Sequence, residues 1–431
     1  MIELWEQVTL EQVANDVTVG HVGPMADQYV EAGIPFLRSL NVEPFNINRN
    51  DLKQISRDFH QKLKKSALKP GDIVIVRTGK PGSCAVIPDW LPEANCSDVV
   101  VVRANARIRP SFISYVVNSS AADHINAHTV GAVQQHFNVG SARQIRFRLP
   151  PLAEQDRILG VLGALNEKIE LNRRMNETLE AMARAIFKDW FVDFGPTRAK
   201  MAGRAPYFAA DVWALFPDSI GESGKPHGWK TSTIGQEVEV VGGSTPSTKD
   251  PAFWGGEIAW ATPKDLSSLS TPVMLSTERH ITAAGLSQIG SGLLPAGTVL
   301  LSSRAPIGYL AIAQIPVAVN QGFIAMICNK LLSNIFVWLW THFNMETVHQ
   351  KANGSTFQEI SKSNFRPIAV TIASPEVLVA FNEAVKPLFD RIVSNVRESQ
   401  TLAATRDLIL PKLMSGEIRI KDAEKIAGAA A

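Results

Sequence analysis

The chain repeats itself at a spacing of about 224 residues, and this constrains its fold more than any composition figure does. Trp5, Thr9 and Gln12 recur as Trp229, Thr233 and Gln236, each 224 positions later. The run from Gly71 to Gly82 lies over Gly297 to Gly308 at an offset of 226. From Gly131 to Ile186 the offset holds at 223 without a gap. A repeat of this length is a whole domain followed by a long helix, not a solenoid turn. The expected order is domain–helix–domain–helix, a pseudo-dimer on one polypeptide. Such a chain suits a ligand that itself has two related halves.

Composition narrows the classes only slightly. A length of 431 residues allows two to four domains, and a 45% hydrophobic content supports substantial cores. A net charge of +2 permits a nucleic-acid partner without demanding one. Cys84, Cys96 and Cys328 show no paired or metal-ligand spacing, which fits a reducing cytoplasm. The N-terminus lacks the basic and apolar regions of a signal peptide. The most apolar stretch, 331–340, is too short to span a bilayer and is expected to be a buried core helix. A soluble, cytoplasmic protein with no membrane partner is expected.

The fold class expected is α+β. Residues 1–150 mix strand-like runs, such as 68–76 and 98–103, with short amphipathic helical stretches, such as 113–118, and form the first globular domain. Pro150 and Pro151 then open a long helix over 151–194. Its apolar positions Ile158, Leu162, Leu165, Ile169, Leu179, Ala183 and Ile186 alternate by four and three, the period of a coiled coil, with Asn172 and Asn176 as polar interruptions. A linker covers 195–228, and its segment 214–220 reads as a docked anchor. The second domain occupies 229–373. A second long helix over 374–415 opens with Ser374 as N-cap and Pro375 at N1. Pro387 predicts a kink or a loosened turn there, and 416–431 reads as a flexible, fraying tail.

Adding 223 carries one seam onto the other: Leu165 to Leu388, Ile169 to Ile392, Asn172 to Asn395, Leu179 to Leu402 and Ile186 to Ile409. An exposed seam of this length would be a large apolar patch, so each helix needs a partner. The first helix carries the chain about 60 Å away from domain one. The second can pack along it only by running back. Two globular domains separated by two antiparallel helices, related by a pseudo-twofold axis, are therefore expected. Under that axis Asn172 faces Asn395. One reading makes them a buried pair that sets register at a cost in stability; the other leaves both at a wet edge of the seam.

Candidate ligand-reading residues come from the stretch before each helix and from the strand–turn ends. Gln134 and Gln135 lie in the first such stretch, and Thr356 and Gln358 in the second. Gln135 aligns with Gln358, and glutamine can bond bidentately to adenine. Arg77, Thr78 and Lys80 in one copy answer to Ser303 and Arg304 in the other. Ser244, Thr245 and Ser247 offer hydroxyls for phosphate in the loop 243–249, and Arg38 and Lys264 add cations. Each also reads as a solvated turn or capping residue. The Gly-Lys at 79–80 lacks phosphate-loop spacing, the histidines are scattered, and no Gly-x-Gly loop follows a strand. Neither a catalytic centre nor a cofactor or metal site is expected.

These features resemble the specificity subunit of Type I restriction–modification enzymes. The resemblance is strongest in 149–158, 168–180 and 185–194, with support from 214–219, the Gly228–Lys230 restart and 410–418, and it covers nearly all of residues 1–418. It implies two target recognition domains reading a bipartite double-stranded DNA target, one half-site each. It implies partners too: two adenine-methylating modification subunits and two ATP-driven restriction subunits. S-adenosylmethionine, ATP and magnesium would belong to those partners, and this chain would be noncatalytic. Ala183 aligning with Arg406 in the seam departs modestly from that pattern. The competing readings are a stand-alone DNA-binding protein, a structural coiled-coil adaptor, and a fused methyltransferase–specificity chain, the last weakened by the lack of a methyltransferase motif such as Asn-Pro-Pro-Tyr.

Overall fold

The computed structural model describes residues 5–119, 137–354 and 358–430. The chain divides into two compact units, Met1–Glu170 with Glu398–Ala431, and Leu171–Arg397. Each unit holds a β-rich domain and a stretch of both long helices. Among the described residues no helix is long and apolar enough to cross a membrane.

In the first unit an antiparallel sheet has the order Cys84–Val86, Ile73–Val76, Val99–Ala104, Ala14–Val19. Its inner strands are continuous aliphatic runs, Ile-Val-Ile-Val and Val-Val-Val-Val, because both their faces are buried. The second unit repeats the order with Ile307–Ala313, Val299–Ser303, Phe323–Ile327 and Glu239–Val241, and adds Val273–Met274 beside the first of these. A second sheet in each unit is built on a parallel pair, Ile34–Leu37 with Ala94–Cys96 and Trp254–Ala261 with Ala318–Val319. A two-stranded ribbon, Glu6–Thr9 with Arg146–Leu149 and then Lys230–Thr233 with Ala369–Ile372, ties each domain's start to the strand before its long helix. One side chain is repeated with its bond: Arg143 donates to the Val17 carbonyl at 2.9 Å, and Arg366 to the Val240 carbonyl at 2.7 Å.

The first long helix is Leu152–Phe187, continued by a π-helical turn over Lys188–Val192 and closed by Phe194 in the left-handed region. The second, Pro375–Ser415, stays helical through Pro387, where a break or loosening is expected from the sequence. Pro387 and Glu383, whose carbonyl the proline cannot satisfy, both lie on the exposed face, where water can take the bond. In the first unit Lys168 pairs with Glu398 at 3.3 Å while Arg406 donates to Asn166 at 2.8 Å, so one helix number falls as the other rises and the packing is antiparallel. Ile158, Leu162 and Leu165 share a core there with Leu402, Ile409 and Leu413. In the second unit Leu179, Ala183 and Ile186 share one with Val385, Leu388 and Ile392. Within that seam the Asn172 amide donates to the Asn395 carbonyl at 3.4 Å, and the Asn395 amide to Asn176 Oδ1 at 2.8 Å. Asn172 and Asn395 are 0% and 1% exposed, inside the seam rather than at its edge.

The segment after the second helix departs from the fraying tail read from the sequence. Residues Ile420–Ala430 form a helix with Ala423 fully buried, and Ile418, Ile420 and Ala427 pack on the first unit's core. Apolar residues spaced on one face of an Ala-rich segment order it once a groove is available. The anchor expected at 214–220 is seated on Phe216, 3% exposed and edge-on to Trp190 at 4.8 Å. The apolar stretch 331–340 lies largely in the helix Asn334–Phe343, buried along most of its length.

The two domains meet their helices differently. In the first, buried Gln155 accepts from the Arg109 backbone N–H at 2.8 Å and donates to the carbonyls of Arg107 and Pro150 at 3.1 and 2.9 Å. Asn166 bonds the Tyr115 hydroxyl, and Arg406 stacks on Phe45, 4.7 Å from its ring centre. In the second, Phe187, Phe191, Phe336 and Phe381 meet one another at ring-centre distances of 4.9 to 5.9 Å.

Candidate nucleic-acid interface

Five chain segments converge on one edge of the second unit. Gly243 brings its loop against the strand end at Val319 so closely that a Cβ there would stand 1.6 Å from the Val319 carbonyl oxygen. Beyond that approach Thr245 donates to Gln321 at 2.6 Å and Ser244 to the Gln288 carbonyl at 3.1 Å. Gly322 accepts from the Ser303 N–H at 2.8 Å, and Ser303 in turn accepts from Ile360 N–H at 3.0 Å. Arg304 faces Glu359 at 3.7 Å beside exposed Gln358. Lys264 follows Pro263, whose ring abuts Gly322, and pairs with Glu278 at 2.8 Å. Ser244, Thr245, Ser247, Lys264, Ser303, Arg304 and Gln358 are scattered over 115 positions of sequence (358 − 244 + 1) yet lie along this edge.

The first unit has the same edge. A Cβ on Gly20 would meet the Ser97 carbonyl oxygen at 1.7 Å. Ser97 N–H donates to the Leu37 carbonyl at 2.9 Å, next to Arg38. Phe137 N–H donates to the Arg77 carbonyl at 3.0 Å, the counterpart of the Ile360–Ser303 bond. Sheet topology therefore gathers Arg38, Arg77, Thr78 and Lys80 as it gathers their counterparts. Gln134, Gln135 and Thr356 lie outside the described residues.

The side chains on these edges differ in availability. Arg77 turns inward: its guanidinium pairs with Asp98 and donates to the Phe137 carbonyl at 3.0 Å, leaving the side chain 12% exposed. Ser303 is 3% exposed with both backbone groups bonded, so it builds the edge more than it presents a hydroxyl. Arg38 bonds Asp51 at 2.7 Å and Lys53 bonds the same carboxylate at 2.6 Å. Those bonds, Lys53 first and Arg38 second, hold the Asp51 carboxyl down to about 2. Lys80, Thr245, Ser247, Lys264 and Gln358 are exposed. A surface ion pair such as Lys264–Glu278 is worth little by itself, so the lysine can exchange its carboxylate for a phosphate at small cost. The Glu278 bond raises the pKa of Lys264.

Sequence reasoning missed several members of these edges. The loop after Gly20, starting at His21, is the counterpart of the loop after Gly243, and applying the offset of 223 to 243–249 would have found it. Gln321 had no such signal, because only the sheet places it against Thr245.

The family model for the Type I restriction modification DNA specificity domain matches residues 3–181 and 226–377. The Type I restriction enzyme HindI specificity subunit of Haemophilus influenzae is 25% identical over 405 residues, covering 82% of this chain and 88% of that protein. The MjaIX specificity subunit of Methanocaldococcus jannaschii is 36% identical over 179 residues, 41% of either chain. A crystal structure of a Type I restriction–modification S subunit from M. genitalium shares the fold, with a TM-score of 0.54, 14% identity and coverage of 96% of this chain and 97% of that one.

Proposed function

We propose that this chain, which belongs to the Type I restriction modification DNA specificity domain family, is the noncatalytic subunit that reads a bipartite double-stranded DNA target, one half-site per unit. The observation that carries this reading is the edge built twice. The same five segments converge through equivalent backbone bonds, while the side chains they carry differ. A protein reading one symmetric site would keep the side chains alike. Two edges of one architecture and different chemistry suit two half-sites of different sequence.

In this reading the repeated helices dock two modification subunits, and two restriction subunits join for cleavage. S-adenosylmethionine, ATP and magnesium belong to those partners, and the complex works in the cytoplasm. Lys80, Lys264 and Arg304 hold the phosphate backbone, and Thr245, Ser247 and Gln358 lie where base edges pass. The test is a mobility-shift titration with random duplexes, of the chain alone and with its modification subunit, at several salt concentrations, followed by sequencing of methylated adenines. Binding should weaken steeply with salt, by roughly 0.9 in log–log slope per phosphate contacted, and methylation should mark two separated half-sites. Salt-independent behaviour with no DNA bound even in the complex would replace this reading with a coiled-coil adaptor.

A further inference from the structure

In the second unit the Arg279 guanidinium lies 3.6 Å from the ring centre of Trp254 and 5.3 Å from that of Trp260. The two indoles meet edge to face at 5.0 Å. Each donates its N–H to the edge loop, Trp254 to the Ser247 carbonyl at 3.0 Å and Trp260 to the Ser244 carbonyl at 3.3 Å. Strand register sets Arg279 directly across from Trp260. The stack is thus bolted to the loop that carries Ser244, Thr245 and Ser247, and Arg279 follows Glu278, the partner of Lys264.

Two other cations of this edge are engaged, Lys264 by Glu278 and Arg304 by Glu359. Among the described residues no carboxylate or hydrogen-bond acceptor meets the exposed Arg279 guanidinium, whose only partners are the two rings. Stacking fixes the plane of a guanidinium and leaves its N–H donors free. A phosphate can also meet the fork through two oxygens, but it carries no sequence information and is met as well by a mobile cation. A base edge with two coplanar acceptors gains much from a fixed plane, and in the major groove the O6 and N7 of guanine are that pair. The first unit carries its own arginine stack on other residues, Arg49 lying 3.9 Å from the ring centre of Trp90. Lys53 occupies the equivalent cross-strand position opposite Phe36, and its ammonium is bonded to Asp51 at 2.6 Å.

We propose that Arg279 determines specificity in the half-site of the second unit by presenting its stacked fork to a guanine edge. This rests on the DNA-reading function above and adds to it a residue and a base. The test uses the full-length chain in complex with its modification subunits, reading the base preference at every position of both half-sites from methylated genomic DNA. Arg279→Ala should lower modification of guanine-containing targets about 10- to 100-fold and relax preference at one position of one half-site, with the other half-site unchanged. Arg279→Lys, which keeps the charge and tolerates the fold if alanine does not, should fail to restore that preference. Trp254→Ala should act in the same direction with smaller size. A uniform loss over all sequences, with a salt slope lower by about one, would mark a phosphate contact and overturn the proposal. Unchanged base preference in Arg279→Ala would overturn it as well. A wild-type complex with no bipartite target would instead remove the functional reading itself, a result distinct from any variant's behaviour.

Discussion

At the first turns of the two long helices, the position that faces the adjoining domain is Gln155 in the first unit and, 223 residues later, Leu378 in the second. Gln155 is wholly buried with three backbone partners from its own unit, while Leu378 joins a core of phenylalanines. The contrast runs through both joints. Beside an apolar core that joins Ile158 and Leu162 to Val8, Phe112 and Phe147, the first carries directional bonds among Gln155, Asn166, Tyr115 and Arg406, and the Arg109–Asp156 fork at 2.7 and 2.8 Å. The second is held by packed aromatic rings, mostly edge to face, without a buried polar side chain at the matching position. One repeated backbone thus solves the same attachment in two ways.

The sharpest way to break this comparison is to remove its aromatic side. Phe381→Ala takes a 1%-exposed ring from contact with Phe187, Phe191, Phe336 and Trp190 and should cost about 3–5 kcal/mol. Hydrogen exchange should show protection falling in the second unit while the first keeps its own. Equal loss in both would mean the joints do not act separately. A smaller effect should follow from Gln155→Leu, which copies the second unit's solution into the first. It strands the Arg109 N–H and two carbonyls, costing about 1–3 kcal/mol in denaturant titration. A stabilised variant would show the polar joint to be replaceable by area alone.

The smallest effect concerns the cations of the first unit's edge. Asp51, held at about 2 by Lys53 and Arg38, has a folded-state value below the ordinary 3.8. Its stabilising contribution is therefore present above the ordinary value and lost as pH falls towards about 2. Carboxyl NMR should show Asp51 titrating near the lower value, and Asp51→Asn should remove the charge that holds Lys53 and abolish the acid-induced change in this loop, while Arg38 keeps its bond to the backbone carbonyl of residue 51 at 2.6 Å. Because the group is fully exposed, global stability should hardly move.

What the chain revealed before its structure was largely what the helices impose. A seam read every three or four residues yields helix, antiparallel partner and the Asn172–Asn395 proximity by arithmetic, because periodicity and covalent order leave few alternatives. The edge was legible only as a set of unconnected residues. Thr245 and Gln321 are 76 positions apart, and no local pattern foretells the sheet that joins them. The inward turn of Arg77 depended on Asp98, a partner supplied by strand pairing, and the order of 420–430 depended on a groove made by other helices. Gln155 was not legible at all, since burial of a glutamine with three matched partners leaves no mark in sequence.

The tight approach of Gly20 to Ser97 and of Gly243 to Val319 bears on how such a chain can change over time. A methyl group at either glycine would collide with a carbonyl oxygen at under 2 Å, so the position admits no side chain without moving a strand. Beyond it most positions are exposed, Val22 to Pro24 in one unit and Thr245, Ser247 and Thr248 in the other. Each glycine therefore acts as a boundary stone between heritable freedom and heritable constraint. New preferences can be acquired on one side of it without renegotiating the architecture on the other.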